Sequence, residues 1–175
     1  THLLHAALKS VLGDQVQQAG SLVHPNYLRF DLTYFEKISK IQIREIEKIV
    51  NSQILLNSTL NVSIKAYDEA IKNGVVALFG EKYGDQVRVV STGKFSNELC
   101  GGTHVNSTGD IGLLKIIEES ALASGVRRIV AVTGSAALEL FQNQSDLIFD
   151  IQRKFNCNED ELSNRINALY EDKKS

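Results

Sequence analysis

The residues best suited to chemistry lie at positions 98–104, where one of the chain's two cysteines stands close to one of its four histidines. Cys100 and His104 offer a thiolate and an imidazole separated by three residues, a spacing that lets both bind one ion from a turn or a helical face. Gly101 and Gly102 between them permit backbone conformations that side chains forbid. These two ligand types favour zinc. The alternative is that Cys100 is a buried thiol and His104 an unrelated surface histidine, because such residues can have the same spacing.

A second pair of histidines, His2 and His5, stands near the first residue of the sequence. Apolar residues recur there at intervals of three and four and Gly13 follows, so the pattern predicts an amphipathic helix over residues 2–12. His2 and His5 would lie on nearby faces of this helix. We expect folding to bring this helix and residues 98–104 together into one site.

The pattern of the segments that must position these residues predicts a mixed α+β fold. Two strands, at 15–24 and 27–33, flank Pro25 and form a hairpin candidate. Ser39 and Gln42 have the spacing of a capping box, at the start of a helix that continues to about residue 56. Further strands are expected at 59–64, 87–90, 111–118 and 126–132, with helical segments at 66–73 and 75–79 and a small-residue connection at 120–125.

The pattern changes after Gly134, because residues 135–175 show helical spacing without a glycine. A second helix is expected near Asn158, with Glu161 in the capping-box position. We therefore predict a catalytic body at residues 1–134. The remainder would be a helical extension, either a hairpin, the start of a coiled coil or a C-terminal arm.

Length and composition indicate a soluble globular protein without a membrane span. The chain has 175 residues, with ordinary apolar and charged fractions of 43% and 23%. A net charge of −2 argues against a strongly basic nucleic-acid binder, so any RNA contact must come from a local patch. With only Cys100 and Cys157 and no signal-like segment, a reducing cytoplasm is favoured, and a disulfide between them is the minority alternative. The lack of methionine and a start inside a helix suggest a piece of a longer protein.

Seven blocks of the sequence, in order from Thr1 to about Gly134, match the pattern of one family. They are THLLHAAL at 1–8, GSLV at 20–23, LRFD at 28–31, ALFGEKY at 77–83, CGGTHV at 100–105, TGDIG at 108–112 and GVRRI at 125–129. In these blocks the chain resembles the editing domain of bacterial-type alanyl-tRNA synthetases, the second additional domain of the misacylated tRNA deacylase superfamily. The resemblance implies an α+β fold with an antiparallel or mixed sheet, packed helices and a zinc site.

The zinc ligands implied by this resemblance are an H-x-x-x-H pair on the first helix and a C-x-x-x-H pair in the later loop. Cys100 and His104 match the second pair, and His2 matches the second histidine of the first pair. The first histidine would stand three residues before Thr1, so this chain is expected to lack one ligand and to be depleted in zinc. His5 could substitute for it, but a packing or surface role is favoured.

The reaction implied by the resemblance is hydrolysis of the ester that joins serine or glycine to tRNA(Ala). A synthetase pocket that accepts alanine discriminates poorly against a smaller residue or one added hydroxyl, so a second, hydrolytic sieve is chemically reasonable. Zinc could activate water or hold the terminal groups of the substrate, and both roles are left open. Because the aminoacylation region is absent, this chain is expected neither to charge tRNA nor to use ATP.

Five further residues are assigned roles by the resemblance or by their chemistry. Gln18 is given a catalytic role together with Cys100, because its amide can orient water or the aminoacyl group; the alternative is a polar residue on a solvent-facing strand. Ser21 and Thr103 are expected to line the substrate pocket. Arg127 and Arg128 are candidates for tRNA phosphate contacts, although adjacent arginines on a strand often form surface ion pairs instead.

Other interpretations concern single residues and the class of protein. His24 and Asp110 are interpreted as turn residues rather than catalytic ones. The expected partners are tRNA(Ala) carrying serine or glycine and the remainder of a synthetase, with self-association left open. The alternatives are a freestanding or threonyl-type tRNA deacylase, or a non-catalytic zinc module that binds tRNA or protein.

Overall fold

The structure, a computed structural model, describes residues 1–78 and 82–174. The chain divides into two compact units, Thr1–Ala137 and Leu138–Ser175. In chain order the elements are α1 (His2–Leu12), β1 (Gln18–His24), β2 (Tyr27–Thr33), α2 (Lys40–Leu55), β3 (Asn61–Ala66), α3 (Tyr67–Lys72), β4 (Gln86–Thr92), β5 (Ser96–Leu99), a 3₁₀ turn (Thr108–Ile111), β6 (Leu114–Ala123), β7 (Val126–Thr133), α4 (Gly134–Phe155) and α5 (Glu159–Lys174).

The strands of the first unit form two antiparallel sheets. One has four strands in the order β1-β2-β7-β6, and the other has three in the order β3-β4-β5. Every pair of neighbouring strands within these sheets is antiparallel. The predicted α+β class, with antiparallel sheets and packed helices, is confirmed.

The main core lies where α1 and α2 pack against the four-stranded sheet. Leu4 and Leu8 on α1, Phe30 on β2 and Ile46 on α2 are each fully buried in it. The spacing of four between the two leucines puts them on one helix face, which explains why α1 buries a single stripe. A smaller cluster lies under the three-stranded sheet and is formed by Ala70, Val75, Val87, Val89 and Leu99.

Local signals in the sequence predict α1, α2 and the first hairpin correctly. α1 ends at Gly13, whose φ of 110° suits glycine because an L side chain rarely adopts it. α2 begins at Ser39 with both hydrogen bonds of the capping box to Gln42. β1 and β2 form the expected hairpin, although β1 begins at Gln18 and not at residue 15.

Two further strand predictions need correction. β3 covers Asn61–Ala66 instead of 59–64, and Thr59 makes only an isolated bridge to Ser107. β6 covers Leu114–Ala123, so most of the small-residue connection at 120–125 is strand. Small side chains do not prevent pairing, and two irregularities in register bend β6 along β7. The turn is confined to two residues and uses Gly125 at φ +71°.

Two short segments around the three-stranded sheet differ from what the sequence predicts. β5 was not predicted, because its four residues, mostly polar, carry no strand periodicity of their own. The predicted helical turn at 75–79 is wrong where the structure describes it. Val76 forms a parallel bridge with Glu98, and its N–H donates to Asn97 O at 2.9 Å. Phe79 lies outside the described residues.

The second unit contains α4 from Leu138 onward and the whole of α5. α5 begins after Asn158, whose Oδ1 accepts a hydrogen bond from Glu161 N at 3.0 Å. This capping contact fits the expected start of the second helix. None of the helices in the described part of the chain has an apolar stretch long enough to cross a membrane.

A partly buried ion pair joins two neighbouring strands of the larger sheet. Asp31 and Arg128 are cross-strand partners, and the guanidinium donates to both carboxylate oxygens at 2.8 and 2.9 Å. Hydrogen bonding to Arg128, and then the charges of Arg128 and Arg29, lower the pKa of Asp31 against the opposing effect of burial. The folded state therefore favours the ionised carboxylate more than the unfolded state does.

We expect the Asp31→Asn variant to lose about 1–3 kcal/mol of unfolding free energy at neutral pH, because it breaks a charged, bidentate contact. The lowered pKa means that this contribution is complete above the unfolded value of 3.8 and is lost as pH falls through the folded value. Denaturation curves of wild type and variant should converge in acid. Asp14→Asn, which changes an exposed carboxylate, is the control. A difference that persists unchanged at acid pH would contradict this account.

Candidate functional site

The first turn of α1 and the loop after β5 meet at one place. α1 packs against both α2 and β5, and Leu3 and Leu4 bury the start of the helix in the main core. β5 pairs with β4 and leads directly into Cys100. The two segments that the sequence singled out are therefore adjacent in the fold.

Three side chains converge there as a possible metal-binding group. His2, Cys100 and His104 each offer one ligand atom, and these atoms lie within 4.8 Å of one another. His2 Nε2 and His104 Nε2 are 3.0 Å apart, although the residues are separated by 102 positions in sequence. All three side chains are partly exposed, so the group is open to solvent.

His5 has a different role from that of a fourth ligand. Its side chain is 3% exposed, its Nδ1 lies 3.3 Å from Glu98 Oε1, and its ring packs 5.6 Å from the Phe30 ring. It is not a member of the convergent group formed by the other histidines and the cysteine. This placement agrees with the packing role that the sequence favoured for it.

Arg88 holds the loop that carries the cysteine. Its Nη1 donates to the carbonyl oxygens of Cys100 and Gly102, both at 2.7 Å, and Cys100 N donates to Arg88 O at 3.1 Å. Gly101 and Gly102 are not among the glycines with positive φ, so neither uses a left-handed conformation. A Cβ on Gly102 would lie 3.6 Å from Cys100 Sγ, an ordinary contact. The loop shape therefore depends on Arg88 rather than on glycine geometry.

The electrostatics of the group favour a neutral His104. Burial is the largest effect that lowers the pKa of His104, followed by the charges of His2 and Arg88. Glu98 shows the opposite balance, because burial raises its pKa but the hydrogen bonds and charges of His2 and His5 outweigh it and lower the pKa to about 2. A metal ion binds neutral imidazole, so this protonation state suits ligation.

Gln18, Ser21 and Thr103, the polar residues predicted around the site, lie on two segments. Gln18 is the first residue of β1 and is partly buried, opposite Leu32 of β2. Ser21 is exposed further along β1, and Thr103 is exposed between the cysteine and the histidine of the loop. Their roles stay predictions.

Arg127 and Arg128 are adjacent on β7 and both are engaged by carboxylates. Arg127 donates to Glu119 Oε1 at 2.6 Å, and Arg128 pairs with Asp31 as described above. These ion pairs are the alternative that the sequence allowed for two neighbouring arginines. Contact with tRNA phosphate stays a prediction for both residues.

The residues interpreted as structural lie in turns or outside the site. His24 stacks on Tyr27 across the hairpin turn, with ring centroids 4.8 Å apart, and its Nδ1 accepts from Asn26 N. Asp110 accepts from Ser107 N at 3.0 Å and caps the 3₁₀ turn. Cys100 and Cys157 are both free cysteines.

Sequence reasoning missed Glu98 and Arg88, which contact the convergent group. Glu98 lies 3.0 Å from His2 Nδ1 and is 4% exposed. Neither residue carried a local signal, because β5 shows no strand pattern of its own and the contacts of Arg88 depend on how β4 and β5 pair.

Two comparisons with known proteins bear on this geometry. The family model described as the threonyl and alanyl tRNA synthetase second additional domain matches residues 87–130, which include β4, β5 and the Cys100–His104 loop. Alanine–tRNA ligases of Thermotoga maritima and Fervidobacterium nodosum are 56% and 50% identical to the chain, over 98% and 100% of its length. That of Methylococcus capsulatus is 50% identical over 98% of it. The chain spans 20% of the length of each of these relatives.

The family match and the relatives agree with the fold and with the resemblance seen in the seven sequence blocks. The matched domain contains the cysteine and the second histidine of the convergent group, and the alignment to the ligases extends over the α1 histidine as well. Residues 87–130 therefore match the second additional domain of threonyl and alanyl tRNA synthetases, and the chain as a whole aligns with one part of alanine–tRNA ligases.

Proposed function

We propose that the chain is the editing part of an alanine–tRNA ligase and hydrolyses the ester that joins serine or glycine to tRNA(Ala). The observation that carries this proposal is the convergence of His2, Cys100 and His104 in a chain that matches alanine–tRNA ligases along 98% of its length. The acceptor end of tRNA(Ala), the remainder of the ligase and a cytoplasmic setting follow as parts of the same proposal.

The convergent group has the chemistry and size of a zinc site. Thiolate and imidazole are the usual zinc ligands. In a tetrahedral site with ordinary bond lengths, two nitrogens lie about 3.3 Å apart and a nitrogen and a sulfur about 3.6 Å apart. The observed 3.0 Å between the two Nε2 atoms is close to this, and the full set lies within 4.8 Å. His2, Cys100 and His104 would hold the ion, with a fourth ligand expected upstream of Thr1.

The chemistry needs water to add to the ester carbonyl while the bond to the ribose oxygen breaks, which releases the amino acid and a free hydroxyl on tRNA. Bound zinc would supply a Lewis acid for this step or a fixed point for the terminal groups of the substrate. The Gln18 amide, which both donates and accepts, would orient the water or the aminoacyl group. The Ser21 and Thr103 hydroxyls would contact the substrate from exposed positions, with Arg127 and Arg128 proposed for phosphate.

The proposal is tested by deacylation of Ser-tRNA(Ala) and Gly-tRNA(Ala), with Ala-tRNA(Ala) as the control substrate. The assay uses zinc-loaded protein extended upstream by about ten residues, so that a fourth ligand can be present. We expect release of serine and glycine, and a loss of about 100-fold or more in Gln18→Ala, a size typical for a positioned group that acts in the transition state. Gln17→Ala, which changes the exposed neighbour of Gln18, should keep the activity.

Two outcomes of this assay would overturn the proposal. Zinc binding without any turnover of either substrate would favour a non-catalytic zinc module. Release of serine from tRNA(Thr) in preference to tRNA(Ala) would favour a threonyl-type deacylase, since the matching family model covers both synthetases.

A further inference from the structure

The Glu98 carboxylate lies between two histidines of α1, where that helix meets β5. Its Oε2 is 3.0 Å from His2 Nδ1, and its Oε1 is 3.3 Å from His5 Nδ1. Ser96 Oγ also donates to Oε1, at 3.1 Å. Glu98 is only 4% exposed. Both carboxylate oxygens therefore contact partners, and one residue connects two positions of the helix to the strand.

This contact decides which nitrogen of His2 is free for a ligand. A neutral imidazole carries one N–H, and an ionised carboxylate can only accept. The 3.0 Å between Nδ1 and an ionised carboxylate oxygen favours the proton on Nδ1, which leaves the lone pair on Nε2. His2 Nε2 is the atom that faces His104 Nε2, at 3.0 Å, within the group that includes Cys100. The carboxylate and the convergent group therefore lie at opposite nitrogens of the same ring.

We infer that Glu98 is a positioning residue, which holds His2 as the Nδ1–H tautomer and aims its Nε2 at Cys100 and His104. His5 is the second anchor of the carboxylate, because it fixes the oxygen that His2 does not contact. The inference rests on the proposed metal site for its purpose. The tautomer of His2, however, is a property of the chain without metal and can be measured separately.

The chain offers a matched control for the loss of a buried carboxylate. Glu47 on α2 is 9% exposed, and it accepts from Ile116 N at 2.7 Å and Lys115 Nζ at 2.9 Å. Its partners lie on β6, and no histidine is among the contacts described for it. Replacement of Glu47 by glutamine should therefore lower stability without changing the ring of His2.

The first readout is the ¹⁵N spectrum of the histidine rings in the metal-free, 175-residue chain, at a pH at which the rings are neutral. We expect wild type and Glu47→Gln to show His2 protonated on Nδ1. Glu98→Gln should lose this preference. Ser96 Oγ donates to the Oε1 position, which keeps the amide oxygen beside His5 and places the NH₂ group beside His2 Nδ1, where it favours the opposite tautomer. The second readout is the zinc affinity of protein extended upstream of Thr1, measured by competition with a chromophoric chelator. It should fall about 10- to 100-fold in Glu98→Gln and stay near wild type in Glu47→Gln.

Three results would overturn the inference. One is a wild-type His2 protonated on Nε2, which needs no variant and decides the matter even if Glu98→Gln fails to fold. The second is a folded Glu98→Gln variant with the wild-type tautomer and wild-type affinity. The third is an equal loss of zinc affinity in Glu47→Gln, which would point to general destabilisation. If wild-type protein binds no zinc, the proposed metal site fails, and the tautomer still tests the role of Glu98.

Discussion

Replacement of Cys100 by alanine is expected to lower the zinc affinity of the protein extended upstream of Thr1 by about 100- to 1,000-fold. Structural zinc sites with four ligands bind with about 10–16 kcal/mol, so one ligand contributes about 3–4 kcal/mol. Cys100 is the only thiolate in the convergent group with His2 and His104. Competition with a chromophoric chelator, on wild type and variant side by side, measures the loss.

Cys157→Ala is the matched control for this prediction. Cys157 is also free and partly buried, and it lies between α4 and α5. Zinc affinity in this variant should equal that of the wild type. The same affinity in Cys100→Ala would contradict the assignment of the thiolate as a ligand, and an equal loss in both variants would indicate a general effect of removing a thiol.

The second large effect is expected in the core beneath α1. Phe30 is fully buried on β2, and its ring packs against the His5 ring. Phe30→Ala should lower the free energy of unfolding by about 3–5 kcal/mol, because it removes a large apolar side chain and leaves a cavity. Urea denaturation followed by circular dichroism measures this change, provided the slope of the transition is the same in both proteins.

Phe35→Ala is the control for this prediction, because it makes the same substitution at an exposed position. Phe35 is 87% exposed just after β2, so the same change should alter the unfolding free energy by less than about 0.5 kcal/mol. Similar losses in both variants would show that Phe30 does not form the core described here. A large loss for Phe30 alone would support the packing of α1 onto the sheet that carries it.

The elements predicted correctly are those whose signals are local in sequence. The capping box of Ser39 and Gln42 fixes the start of α2, and the stripe of leucines before Gly13 fixes α1. The hairpin around Pro25 is also local, since two alternating strands flank its turn. In each case the residues that make the hydrogen bonds or bury the apolar face lie within a few positions of one another.

The elements missed are those whose partners are distant in sequence. β5 is a strand because it pairs with β4 and contacts α1, and its own four residues give no strand pattern. Val76 is held in an extended bridge by Glu98, more than twenty positions away, which overrides its local apolar run. Such contacts follow from the packing of whole elements and not from propensity.

The site was also predictable only where its residues are close in sequence. Cys100 and His104 stand out because their spacing is short, and His2 joined them through resemblance to a family and not through any local pattern. The buried carboxylate of Glu98 and the loop contact of Arg88 depend on the register between α1, β4 and β5. These contacts, which orient the convergent side chains, required the structure.

X-ray absorption at the zinc edge, on zinc-loaded protein extended upstream of Thr1, measures which atoms bind the ion. We expect one sulfur at about 2.3 Å, with nitrogen at about 2.0–2.1 Å, around a four-coordinate ion. The sulfur shell should disappear in Cys100→Ala and persist in Cys157→Ala. A shell of nitrogen and oxygen alone in the wild type would contradict the proposal that His2, Cys100 and His104 hold one ion.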